Sequence, residues 1–196
     1  FYEVPKTKDY PDLKEHEKIF RMSPEYYKEY MQIENREAHN YDINDPSIFL
    51  QGVRRASNII PNNPKVAWTM KKIEEGEKTI VYSAYKDSGI NILKKLLKEK
   101  GIGYADIQGD VKATVRDQIV KDFNSDKINV LLITKAGAEG LDLKGVRNVI
   151  LLESGWNRPN EEQVIGRARR YKSRAHLPED ERRVDVYHLM LLKPED

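Results

Sequence analysis

The 196-residue chain contains no cysteine. Disulfides and thiolate metal sites are thereby excluded, and an intracellular location is the expectation. The four histidines (His16, His39, His176 and His188) are scattered, so no metal cluster is suggested. No apolar run approaches the ~18 residues of a membrane-spanning helix, and no membrane partner is expected. No Gly-x-x-x-x-Gly-Lys-Ser/Thr phosphate cradle occurs, and no Gly-x-Gly-x-x-Gly follows a strand-like run. The second absence argues against a Rossmann-type cofactor enzyme. Asp180-Glu181 sits in a charged turn after Pro178 with no apolar strand before it, which makes it a poor Mg²⁺-binding pair. The chain starts at Phe1 rather than Met and shows no signal peptide, so it reads as a piece of a longer protein.

What is present is a globular composition, 39% hydrophobic and 34% charged. The length suits one domain, or a domain with an appendage. Thirty-four Lys and Arg against 32 Asp and Glu leave a net charge of +2, which says little about partners. A nucleic-acid surface would have to be a local patch. Residues 164–174 are such a patch, with Arg167, Arg169, Arg170, Lys172 and Arg174 and no acid among them.

Taken in order, residues 1–15 read as an irregular lead-in, and residues 18–22 as a short strand at a sheet edge. Ser23-Pro24-Glu25 opens a helix whose Tyr26, Tyr27, Tyr30, Met31 and Ile33 form an apolar stripe, read as core rather than as a base-stacking surface. A connector over 39–65 holds a short helix near 49–56. A turn at Asn62-Asn63-Pro64 leads to a helix over 66–75 with Val66, Met70 and Ile73 on one face, which Gly76 ends.

From there the character changes. β-rich runs at 79–83, 102–107, 128–134, 148–152 and 183–191 alternate with helical patterns. One helix is capped by Asp87 or Ser88 and carries Ile92, Leu93, Leu96 and Leu97. A second opens at Thr114 with Val115, Ile119, Val120 and Phe123 facing inward, and a third spans 159–171. Near-continuous apolar strands between helices imply an α/β fold, a three-layer parallel sheet with helices on both faces.

Two stretches carry chemistry. In the 159–171 helix, Pro159 suits the first position, and Glu161 and Glu162 suit the first turn. At about 100° per residue, Gln163, Gly166, Arg167 and Arg170 share one side, while Val164, Ile165 and Ala168 share the other. Two guanidinium forks a turn apart, with a glycine between them, can hold a polyphosphate; a solvated basic face is the alternative. The second stretch is Thr134-Lys135-Ala136-Gly137-Ala138-Glu139-Gly140-Leu141-Asp142-Leu143, placed at the carboxyl end of a strand, where open α/β sheets bind ligands. Its glycines permit an anion-binding nest; an ordinary loop is the alternative.

The pattern Gln-x-x-Gly-Arg-x-x-Arg over 163–170 resembles the sixth motif of superfamily 2 helicases and translocases, and residues 134–143 resemble their fifth. Tyr82-Ser83 is similar to the end of the fourth motif. Gln108-Gly109-Asp110, Arg116 and Phe123-Asn124 are similar to the segment between the fourth and fifth. The resemblance covers about residues 78–191. It implies a second RecA-like motor domain over 77–196, preceded by a mostly helical segment over 1–76.

By the resemblance, ATP with Mg²⁺ is bound mainly by a separate first motor domain, which is also a partner of this one. Arg170 is then the arginine finger, Arg167 assists it, and Gln163 senses the nucleotide. Gly137, Glu139, Gly140, Asp142 and Gly166 line the ATP side, while Tyr82, Ser83, Thr134 and Lys135 line the nucleic-acid side; no residue is assigned to a metal. The Thr-Lys-Ala-Gly-x-Glu-Gly-Leu form is similar to the chromatin-remodelling type, which favours double-stranded DNA over RNA. The tail Tyr171-Lys172-Ser173-Arg174-Ala175-His176-Leu177-Pro178 is similar to helicase-like transcription factors of large DNA viruses, which adds the transcription machinery as a partner. The competing expectation is a non-catalytic nucleic-acid adaptor with a motor-like fold. Retention of both Arg167 and Arg170 favours the enzyme.

Overall fold

The computed structural model of the chain describes residues 13–39, 60, 62–109, 111–134, 141–153 and 183–194. Its strands are β1 (Leu13–Arg21), β2 (Thr79–Ser83), β3 (Ala105–Ile107), β4 (Val130–Thr134), β5 (Asn148–Leu151) and β6 (Val184–Leu192). The helices are α1 (Pro24–His39), α2 (Pro64–Glu74), α3 (Asn91–Glu99) and α4 (Ala113–Asn124). The strands make one six-stranded sheet in the order β1-β6-β5-β2-β4-β3, with every neighbouring pair parallel. The expected parallel α/β fold is the fold observed. The first twelve residues of the lead-in expected over 1–15, the short helix near 49–56 and the helix at 159–171 with its tail lie outside the described residues, while residues 13–15 belong to β1. No described helix is long and apolar enough to cross a membrane.

β2, β4 and β5 are buried at every position. Adjacent side chains in them serve opposite faces, as the two-residue strand period requires. Ile80, Tyr82, Leu131, Ile133, Val149 and Leu151 pack with Phe123 of α4 on one face. Val81, Val130, Leu132, Ile150 and Leu152 pack on the other with Val66, Met70 and Ile73 of α2 and Leu93 and Leu97 of α3. With both faces covered, continuous apolar runs are what the environment selects.

α2 begins two residues earlier than the periodicity indicates. Asn63 is its N-cap, the Asn63 side chain accepting from the Lys65 N–H at 2.9 Å, and Pro64 occupies the first turn. Gly76, at φ +87°, follows its end. The next helical segment corrects an expectation. It does not start from an Asp87 or Ser88 cap; a π-helical turn over Lys86–Ile90, preceded by Tyr85, feeds directly into α3.

β1 is longer than the five residues anticipated and starts at Leu13. It does lie at the sheet edge, in register with β6 from Leu13↔Val184 to Arg21↔Leu192. Its first half, Leu13-Lys14-Glu15-His16-Glu17, has no strand periodicity because polar contacts hold it. His16 Nε2 lies 3.0 Å from Asp185 Oδ1 and its ring stacks on Tyr187, while Glu15 lies 3.3 Å from His188. Asp185 is buried and also meets Arg183 at 3.2 Å and Arg147 at 3.7 Å, so its charge is compensated. The tyrosine stripe of α1 is core as expected: Tyr26 is buried with Met22 and Ile60, and Tyr27, Tyr30 and Ile33 pack against them.

Val115, expected to face inward, is instead half exposed. Eight residues separate it from the fully buried Phe123, and at about 100° each it lies some 80° around α4 from that contact face. Phe123→Ala should therefore cost about 3–5 kcal/mol of unfolding free energy. Val115→Ala should stay within about 0.5 kcal/mol. Chemical denaturation of the two variants against the parent measures the contrast, and equal losses would disprove the assignment of α4's buried face.

Candidate functional site

Because all strands run the same way, β2, β3, β4 and β5 end on one edge of the sheet. The chain leaves β2 toward β3 on one side and leaves β5 toward β6 on the other. Connections thus diverge between β5 and β2, the position where open parallel sheets form their crevice. Ser83 and Thr134, both candidates from the sequence, are register partners at this edge, and Tyr82 pairs with Ile133 one step behind. The Tyr82 side chain packs within the core, and Ser83 and Thr134 are buried too. Asp142 is exposed. Lys135, Gly137, Glu139, Gly140, Gln163, Gly166, Arg167 and Arg170 lie outside the described residues, as does Asp110.

The structure adds residues to this edge that sequence reasoning did not single out. Glu153, just past β5, lies with its carboxylate oxygens 2.8 and 3.0 Å from the Ser83 hydroxyl. The Ala84 N–H donates to the same carboxylate at 3.0 Å. Lys65, in the first turn of α2, is buried nearby. Burial pushes its ammonium below the usual lysine range, and the charge of Glu153 opposes that shift. Thr69, one turn on, is fully buried and donates its hydroxyl to the Lys65 carbonyl at 2.8 Å.

Gly89, in the π-helical turn, is set against this group so closely that a Cβ would lie 2.0 Å from Ser83 Oγ and 2.9 Å from Ser83 Cβ. Only glycine fits there without moving β2's end. Weak signals for these residues did exist. Glu153 is the first charged residue after an apolar strand, Lys65 falls on the helix face of Thr69 and Ile73, and Gly89 interrupts a helical pattern.

The end of the Gly-rich stretch is anchored separately. Leu141, Leu143 and Val146 are buried in the cluster of Phe123, and Asp142 projects outward between the two leucines. Asn124, at the end of α4, grips this segment at two points. Its Nδ2 donates to the Asp142 carbonyl at 2.9 Å, and its Oδ1 accepts from the Lys144 N–H at 2.7 Å. The amide side chain thus supplies the donor and acceptor that a neighbouring strand would otherwise provide. Among the described residues no group of three or more His, Cys, Asp or Glu side chains could hold a metal ion. Asn124→Ala should speed hydrogen exchange at the Lys144 amide by more than tenfold, while the Arg147 amide, held by the Lys78 carbonyl at 2.9 Å, should change little. Unchanged exchange at Lys144 would show that the clamp does not hold the loop.

Residues 64–172 match the helicase conserved C-terminal domain family. A protein of Acanthamoeba polyphaga mimivirus, named for ATP-dependent RNA helicase activity, is 34% identical over 215 residues, covering 99% of this chain and 48% of its own. A termination factor NPH-I homolog of African swine fever virus is 34% identical over 134 residues, covering 60% of this chain and 19% of its own. The chain therefore spans less than half the length of these relatives. Among solved structures, the Sulfolobus solfataricus SWI2/SNF2 ATPase core in complex with dsDNA superposes with a TM-score of 0.69 at 20% identity, over 93% of this chain and 42% of that one. The C-terminal domain of the Sulfolobus SWI2/SNF2 ATPase gives 0.64 at 19% identity, over 92% and 80%. The chain belongs to the helicase conserved C-terminal domain family, with the RecA-like fold of the second motor domain of superfamily 2 helicases and SWI2/SNF2-type ATPases.

Proposed function

We propose that this chain is the second motor domain of an ATP-dependent translocase that tracks double-stranded DNA, acting with a first motor domain that binds ATP and Mg²⁺. The observation that supports it most is the parallel order of the sheet. β4 leads into residues 135–142 and β5 leads into residues 154–170, so both motif-bearing segments leave from the same edge. Asp142 is exposed, on the segment that Asn124 holds at the end of α4, and is available to a nucleotide held by another domain. One exposed carboxylate fits a wall that contacts ATP and Mg²⁺ without enclosing them.

In this reading Arg170 reaches the γ-phosphate as the arginine finger and stabilises charge in the transition state, a role worth roughly 10³–10⁵ in rate. Arg167 assists, Gln163 senses the nucleotide, and Gly137, Glu139, Gly140, Asp142 and Gly166 shape the ATP side. Tyr82, Ser83, Thr134 and Lys135 serve the nucleic-acid side, where Tyr82 and Ser83 act by placing the backbone at β2's end, since both side chains are buried. Closure of the two domains on ATP and reopening after hydrolysis advance the protein along DNA. Residues 77–196 form the motor unit, and residues 1–76 are an appendage that lends β1 and α2 to its sheet. The swine fever virus relative, named as a termination factor homolog, supports transcription machinery as a partner and an intracellular setting.

In the full-length protein, Arg170→Ala should reduce ATP hydrolysis by at least 10³-fold and leave ATP affinity within a few-fold, because a finger acts on charge that develops only in the transition state. Arg169→Ala, on another side of the predicted helix, should do far less. Steady-state kinetics of both variants check this; equal and small effects would leave the basic face as mere solvated surface. The 196-residue chain by itself should fold and hydrolyse no ATP. Nucleic-acid-stimulated turnover by that chain, with contaminants controlled for, would overturn the two-domain reading.

A further inference from the structure

We infer that Glu153 is a positioning residue, coupling the end of β2 on the nucleic-acid side to the chain that leaves β5 for the arginine motif. The inference rests on the motor reading above. Main-chain pairing between β2 and β5 runs from Thr79↔Asn148 to Tyr82↔Leu151 and closes with the Leu152 N–H on the Tyr82 carbonyl at 3.0 Å. One residue later the Glu153 carboxylate takes over as acceptor, binding the Ala84 N–H at 3.0 Å and the Ser83 hydroxyl at 2.8 Å. A side chain thereby extends the ladder past the point where the two chains part. Three elements meet on this one carboxylate or its hydroxyl partner: β2 through Ser83 and Ala84, β5 through Glu153, and the π-helical turn through Gly89, while the charge of the buried Lys65 in α2 acts on it.

The chemistry calls for a carboxylate. Both groups facing it are donors, and an acceptor-only group meets them without turning a donor of its own toward them. Lys65 is buried, and its ammonium needs a compensating charge close by. Such a buried charged group is weak evidence for stability, because apolar residues of similar volume commonly serve as well or better. Its value here lies in direction: a carboxylate held by two specific donors has one orientation. Displacement of the Ser83-Ala84 backbone by a DNA phosphate is therefore transmitted to Glu153, ten residues ahead of Gln163 in the chain. Glu153 touches neither ATP nor DNA in this scheme and acts through the chain it holds.

The test uses the full-length protein with a linear double-stranded DNA. Glu153→Gln should lower DNA-stimulated kcat at least tenfold while KM for ATP stays within about threefold. Lys65→Met combined with Glu153→Gln removes both charges and should bring Tm back to within a few degrees of the parent without restoring the DNA-stimulated kcat. If the double variant regains turnover together with Tm, the cluster is structural only and the inference is overturned. Undiminished kcat in Glu153→Gln overturns it as well, and so does failure of both variants to fold. Arg170→Ala run in parallel separates the two levels. Full turnover in that variant removes the motor reading itself, whereas its loss beside an unaffected Glu153→Gln removes only the coupling.

Discussion

A parallel strand cannot return to its neighbour through a tight hairpin, so each connection must cross a face of the sheet before the next strand begins. That constraint organises the molecule. The crossovers cover both faces, which obliges β2, β4 and β5 to be apolar at every position and leaves their main-chain groups to be satisfied only by each other. It also collects every strand's exit on one edge. Chemistry-bearing segments far apart in the chain, near residues 83, 134 and 153, are brought together by strand direction alone.

The two edges of the sheet are built differently. At the amino-terminal edge, Lys78 lies over the Phe123 ring, 4.7 Å from its centroid, and its Nζ pairs with Asp126 at 2.8 Å and donates to the Lys144 carbonyl at 2.9 Å. Its own carbonyl accepts from the N–H groups of Arg147 and Asn148. Gly145 packs beside that lysine at φ +79°, a conformation that disfavours any side chain. This edge is a latch between loops. The carboxyl edge instead carries buried polar groups with directional partners, namely Glu153, Ser83 and Lys65. There the polar contacts hold chain ends that main-chain pairing no longer reaches.

Polar docking also explains how the first strand joins the sheet. β1 adds little apolar surface; Ile19 is more than half exposed. It is held by its ladder with β6 and by the cluster around the buried Asp185, where His16, Arg147 and Arg183 converge. β1 carries Lys14, Glu15, Glu17 and Lys18, and an edge strand rich in charge is poorly suited to recruit a further strand from another molecule.

The amino-acid sequence determined on its own the class of fold, the positions of β2, β4 and β5, the apolar faces of α2 and α3, and the edge placement of β1. Each rests on burial, and burial leaves a period in the chain: continuous apolar runs for two-sided strands, a 3.6-residue stripe for helices. The motifs at 134–143 and 163–170 were legible for another reason, since their chemistry requires particular residue types at short range. Only the tertiary structure decided the early start of β1 at Leu13, the π-helical entry to α3 in place of an Asp87 or Ser88 cap, and the outward turn of Val115. It alone showed that the Ser83 hydroxyl is engaged by Glu153. The docking of β1 and the capture of the Ser83 hydroxyl depend on contacts across 70 to 169 residues of chain, Ser83 with Glu153 and His16 with Asp185. A polar residue with a buried partner and one facing water look the same in sequence, because no local periodicity records which partner the fold will supply.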